Sequence, residues 1–269
     1  AAVAAGCAKG PTGTPSPTDP ITVTGVALLL SQLADDSLEG RMTGQPGAEK
    51  AAAMIAREMA AIGLQPAGDS GYFQRVPYIM RPSRNGGMVP RLAASFSALD
   101  TVPAERRKIS VNVLGILPGS DANWRNQHVL VDGHYDHVGV GRPVNGDSIY
   151  NGADDDASGV VATLFIARAM RQGKAPRRSV LFAAMTGEEL GLTGARWYAD
   201  HPVRPLSEMV ANLEIEMIGR PDSLSGGSGK GWLTGYERST MGDALAAAGI
   251  PLVADPRPAQ NFFQRSDNY

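Results

Sequence analysis

The 269-residue chain has a single cysteine, Cys7, so no disulfide can form within it. No apolar run approaches the ~20 residues of a membrane-spanning helix. With 25 basic against 27 acidic residues the net charge is −2. No arginine or lysine cluster alternates with aromatics, which excludes the electrostatic footprint of a nucleic-acid-binding surface. Histidine is scarce, at 128, 134, 137 and 201, and none follows His201. No internal repeat is visible. What remains, 43% hydrophobic residues over this length, suits one α/β domain with a sizeable core, since such domains run to roughly 250 residues.

The periodicities alternate between helix and strand. Leucines 28, 29, 30 and 33 form an apolar helical stripe over 23–35, with Thr22 or Thr24 as a cap. Ala51, Ile55, Met59 and Ile62 repeat at helical spacing and stop at Gly63. Residues 72–80, 88–96 and 108–117 read as strands, 160–171 as a helix ending at Gly173, 180–185 as a buried strand, 209–217 as an alternating strand and 241–248 as a last helix. Gly226 to Lys230 lacks the residues of a phosphate loop and reads as a plain loop. The pattern predicts an α/β fold, a mostly parallel central sheet with helices on both faces and the site at the carboxyl edge.

The densest chemistry lies between His128 and Ser158. Val129, Leu130 and Val131 fit a buried strand ending at Gly133, and His134 and Asp136 follow two residues apart. An imidazole can bind a metal while a nearby carboxylate accepts its other N–H. After a polar loop, Asp154, Asp155 and Asp156 stand in a row at a helix start. The helix dipole offsets part of their repulsion, and a shared divalent cation accounts for the rest. A calcium loop would instead space its carboxylates at alternate positions. Glu188 and Glu189 follow the strand at 180–185, so a third strand end reaches the same place. Glu214 and Glu216 share one face of the next strand. His128, His137 and His201 read as loop residues. Arg41, in the glycine-punctuated segment Leu38-Glu39-Gly40-Arg41, reads as a residue that pins its loop.

GHYDHVG, GADDDASG, TGEELGLTGA and NLEIEMIG, in this order, resemble the motifs of the M28 family of zinc exopeptidases, and the likeness runs from about Leu33 to the last residue. The resemblance implies a zinc-exopeptidase, phosphorylase/hydrolase-like architecture and two zinc ions. His134, Asp155, Glu189 and Glu216 become metal ligands, with Asp155 bridging the two ions and a cis peptide following it. Asp136 becomes the partner of His134, and Glu188 the general base. No insertion domain fits between 80 and 108. Two departures stand out: Glu216 replaces the usual aspartate, and the family's fifth ligand, a histidine near the carboxyl end, has no counterpart here. The expectation is therefore a peptidase domain over 22–269 that is truncated at its C-terminus.

Ala4-Ala5-Gly6-Cys7 resembles a bacterial lipobox, followed by a Thr/Pro/Ser-rich tether to about residue 21. That predicts an exported protein: a periplasmic or outer-membrane-anchored lipoprotein lipidated at Cys7, or a secreted one. The expected substrate is a peptide and the expected reaction aminopeptidase hydrolysis. The alternatives are a mono-zinc glutaminyl-cyclase-like enzyme or a carboxypeptidase on the same scaffold, or a metal-containing binding protein without turnover. Substrate side chain, native metal and oligomeric state are not legible.

Overall fold

The computed structural model describes residues 19–83 and 86–269; the Cys7 lipobox and residues 1–18 of the expected tether lie outside them. Helix α1 (Val23–Leu33) starts where the Thr22 hydroxyl accepts the Gly25 N–H at 3.1 Å, an ordinary N-cap. Helix α2 (Pro46–Ile62) has proline in its first turn, where the missing N–H costs nothing, and ends at Gly63 with φ 85°. Its second residue, Gly47, lies so close to the preceding turn that a Cβ there would sit 1.8 Å from the Leu38 carbonyl oxygen.

The sheet is built from β1 (Gln65–Pro66), β2 (Phe73–Pro82), β3 (Met88–Leu92), β4 (Arg107–Leu117) and β5 (His128–His134). A hairpin of β6 (Gly139–Val144) and β7 (Asp147–Tyr150) then precedes α3 (Ser158–Gln172), β8 (Ser179–Met185), α4 (Thr193–Asp200) and β9 (Met209–Glu214). β10 (Gly231–Leu233), α5 (Met241–Ala247) and β11 (Leu252–Ala254) follow, β10 and β11 pairing in parallel. The main sheet runs β3-β2-β4-β8-β5-β9, with β1 beside β4. β5 pairs in parallel with both β8 and β9, while β2 is antiparallel to its two neighbours β3 and β4, and β4 is antiparallel to β8. The α/β class and the site-bearing parallel strands match expectation, whereas the other half of the sheet is antiparallel. A short connection joins β2 to β3, and a hairpin forces antiparallel neighbours.

Side-chain alternation feeds two cores. Val180, Phe182 and Ala184 of β8 pack with Val113, Val131 and the inner faces of α1, α2 and α3. Leu181, Ala183 and Met185 face the other way, onto Leu114, Leu130 and Tyr198 of α4. All seven residues of β8 are buried, as a strand covered on both faces requires.

Three element boundaries differ from the sequence reading. β3 stops at Leu92 because a 3₁₀ turn begins at Ser97. β9 stops at Glu214, so Glu216 comes from the loop beyond it rather than from the strand face. The polar loop after His134 contains the β6–β7 hairpin, turned at Asn145-Gly146, both with positive φ. His128 is no loop residue but the buried start of β5, and His201 follows α4 and stacks on Trp197 at 3.8 Å.

Candidate metal centre

β5, β8 and β9 end side by side, and everything of chemical interest hangs from those ends. β5 delivers His134, fully buried. Its Nδ1 donates to the Asp136 main-chain carbonyl at 3.1 Å, with the Asp136 carboxylate 3.7 Å away. The nearer acceptor is thus the backbone of Asp136, and this contact fixes the tautomer that leaves Nε2 free. The carboxylate is engaged elsewhere, accepting the Thr43 hydroxyl at 2.9 Å and the Glu188 main-chain N–H at 3.1 Å. Asp136 therefore ties the β5 end to the β8 end.

The three consecutive aspartates point in three directions. Asp154 accepts the Gly219 N–H at 2.8 Å and lies 3.4 Å from Arg220. Asp156 is buried and takes three main-chain N–H groups, from His134, Gly159 and Met217. It joins the β5 end, the start of α3 and the segment after β9. Asp155, between them and followed by a cis peptide, turns its carboxylate to the site, 3.1 Å from His134 Nε2. α3 thus begins on a kink that sorts three identical side chains into separate tasks.

Arg41 holds this arrangement from behind. Its guanidinium is almost wholly buried and donates to the carbonyls of Leu33, Tyr135 at 2.7 Å, Asn151 at 2.6 Å and Gly152 at 2.8 Å. One side chain thereby clamps the β5 exit to the segment that carries the aspartates, in line with the expected pinning role.

Two groups of donor atoms result. His134, Asp155 and Glu216 offer atoms all within 4.8 Å of one another, and so do His137, Asp155 and Glu189. Asp155 belongs to both. Glu216 is steadied by the Ser266 hydroxyl at 2.7 Å. Glu188 belongs to neither group; its Oε2 lies 3.8 Å from His134 Nε2. His134 Nε2, His137 Nδ1 and Asp155 Oδ1 are buried and lack hydrogen-bond partners. Buried polar atoms normally find partners, so unpartnered atoms that converge from different segments fit a cation-binding centre. The structure brings together all six residues singled out from sequence. It adds His137, which was read as a loop residue, together with Thr43 and Asp156, which reach the site largely through contacts distant in sequence.

The electrostatics are those of a crowded anionic site. Burial disfavours the His134 imidazolium, yet Asp136, Asp155 and Asp156 overcome it and hold its pKa well above the ordinary value. Burial raises Asp155, but His134, His137 and Arg41 bring it below the usual carboxylate range. Glu188 is pushed up to about 7, first by burial, against the pull of His134, and further by Glu216, Asp136 and Glu189. A carboxyl poised near neutrality can exchange protons at physiological pH.

An α/β sheet with imidazoles and carboxylates converging near the ends of its parallel strands defines a candidate metal centre. The family model for peptidase family M28 matches residues 112–269, and the chain belongs to that family. The structure resembles BSAP, a zinc aminopeptidase from Bacillus subtilis, with TM-score 0.58 at 15% identity over 88% of this chain and 82% of that one. It also resembles the glutaminyl cyclase of Porphyromonas gingivalis, with TM-score 0.57 at 14% identity over 88% and 76% of the respective chains. At these identities the likeness establishes a shared fold. Among curated proteins, a vacuolar membrane protease of Aspergillus clavatus is 37% identical over 125 residues, 45% of this chain and 12% of the relative. The chain thus matches a small part of that relative's length. Zinc is the metal that the family supports, and the mixed imidazole and carboxylate donors suit it.

The curated relatives correct the expected localisation: they are fungal vacuolar membrane proteases, which contradicts the bacterial periplasmic setting, while the expected lipid anchor at Cys7 lies outside the described residues. The lipobox reading rested on a four-residue pattern in an Ala-rich stretch, and small residues before a cysteine are common by composition alone. Among the described residues no helix is long and apolar enough to cross a membrane.

Proposed function

We propose that residues 22–269 form a peptidase domain that removes residues from the amino end of peptides, using two zinc ions and Glu188 as general base. The supporting observation is the pair of donor groups that share Asp155, in which His134 Nε2, His137 Nδ1 and Asp155 Oδ1 are unpartnered. His134, Asp155 and Glu216 would hold one ion, and Asp155 and Glu189 would contribute to the other. Zinc bound there supplies Lewis acidity toward the scissile carbonyl and makes water more acidic.

The chain's own residues do the rest. Asp136 fixes the Glu188 main chain through its N–H, so the carboxylate stays beside the donor groups without joining them. In its ionised form Glu188 takes a proton from the attacking water as the oxygen bonds to the carbonyl carbon. As the C–N bond breaks it delivers that proton to the departing amine nitrogen. Its raised pKa suits it to both acts.

Metal counting by elemental analysis, combined with a screen of aminoacyl and N-terminal-glutaminyl substrates, tests this reading. Two zinc ions per chain with aminoacyl release is the expected result. One ion with cyclisation of glutaminyl peptides, or bound metal without turnover, rejects it.

A further inference from the structure

We infer that His137 is the imidazole ligand of the second zinc ion, an inference that rests on the two-metal reading above. His137 Nδ1 lies 2.7 Å from Glu189 Oε1, well within contact distance. Yet this nitrogen is buried and makes no hydrogen bond, so the two atoms are close without one pointing at the other. Two donor atoms so close, and not joined by a hydrogen bond, leave lone pairs available to a cation. Asp155 supplies the third donor, all three lying within 4.8 Å of one another.

The arrangement repeats what stands on the other side of Asp155. There His134 Nε2 is 3.1 Å from Asp155 Oδ1, also without a hydrogen bond, and Glu216 completes the group. Each half has one imidazole, one carboxylate of its own and a share of Asp155. Without His137 the second ion has two carboxylates, a donor set that suits magnesium or calcium better than zinc. With it, the ion has the three protein ligands of a catalytic zinc site and an open position.

The backbone is shaped for this placement. The His137 N–H donates to the Arg41 carbonyl at 3.4 Å, which draws the segment after β5 back over the site. Gly152, with φ +56°, leaves the room its ring needs: a Cβ there would come within 2.6 Å of His137 Cγ. The same Arg41 whose guanidinium holds the Gly152 carbonyl thus seats the imidazole on one side and the aspartate segment on the other.

The test is a zinc titration of chelator-stripped full-length protein and its variants, followed by calorimetry and elemental analysis. Wild-type protein should bind two ions. His137→Ala should keep one at native affinity and bind the other more than ~100-fold more weakly, beyond the 10–100-fold lost when only a ligand's supporting partner is removed. His137→Asp, which restores a donor, should recover part of that loss; His137→Asn, which keeps a hydrogen-bonding group beside Glu189 but ligates poorly, should not. Cobalt loading gives a second readout: the visible spectrum of the second ion should change in His137→Asn while that of the first is kept. Two native-affinity ions in His137→Ala, or full recovery in His137→Asn, would overturn the assignment and leave His137 a hydrogen-bonding neighbour of Glu189. A wild-type protein that binds one ion would instead refute the two-metal reading itself.

Discussion

Replacing Arg41 with methionine removes a buried charge from behind the metal centre and should be among the most damaging substitutions in the chain. Methionine keeps much of the length and fills the space, so the change isolates the donors. Four main-chain carbonyls, those of Leu33, Tyr135, Asn151 and Gly152, lose their shared partner. Each stranded buried carbonyl costs about 1–3 kcal/mol, which sums naively to about 4–12 kcal/mol. Two effects reduce that sum. The cost of burying the guanidinium is removed with it, and the carbonyls of residues 151 and 152 belong to a loop that can relax toward water. The net expectation is about 3–5 kcal/mol, comparable to breaking a buried charged contact and a large part of a typical domain's 5–15 kcal/mol. Arg41→Lys should recover less than half, because one ammonium with three donors cannot span the four acceptors of a planar fork. Urea unfolding followed by circular dichroism, with chelator throughout, measures the effect free of metal. A loss under 1 kcal/mol in Arg41→Met, or full stability in Arg41→Lys, would refute the clamp.

Glu188→Gln should retain the metals while turnover falls by about 10²–10⁴, the usual contribution of a general base; near-normal hydrolysis by this variant would remove Glu188 from the mechanism. Asp155→Asn should weaken both ions together, whereas Glu189→Gln should chiefly empty one site, and a metal count showing equal losses in the two variants argues against a shared carboxylate. In the metal-free protein, stability should fall as pH rises from about 4.5 to 7.5. Burial raises Glu188 to about 7 and lifts Asp132 and Asp156, so these groups hold their protons more tightly folded than unfolded. Their stabilisation is complete below the unfolded values near 4 and is lost as pH climbs through the folded ones. His134, raised above 6.5, acts in the same sense, its contribution being lost above that value. Urea midpoints in excess chelator should trace this decline and zinc should flatten it; midpoints that rise across the window would contradict the assigned environments.

What the sequence disclosed depended on how local each signal was. The stripes of α1 and α2, the glycine stop at Gly63 and the apolar run of β8 each follow from neighbours within a few residues, and all stand in the structure. The sense of the strands is not local. Nothing in the alternation of 108–117 states that β4 runs antiparallel to β8, since that is settled by the path of the connections. The site divides in the same way. His134, Glu188 and Glu189 sit where strands end, visible as the end of an apolar run, and Asp155 sits just before the helical stripe of α3. His137 escaped because its segment folds back on a main-chain contact to Arg41, 96 positions away, and no periodicity encodes that return. The one available signal was the density of the His-x-Asp-His cluster. The division of work among Asp154, Asp155 and Asp156 was likewise hidden, for it depends on which main-chain N–H groups surround each carboxylate.

Among the described residues β9 is the outer strand of the main sheet, paired on one side only, with β5, and its residues are mostly half-buried. A strand so placed is the natural first point of local opening. Glu216 lies two residues beyond it, within reach of donor atoms carried by the β5 end and by the start of α3. Any cation held there ties the rim of the sheet to its centre, and its binding energy opposes the opening in proportion to ligand concentration. Metal loading then becomes a reading of the sheet's integrity, visible as slower amide exchange along 209–214, and a chain whose rim has frayed gives up its metal before it unfolds.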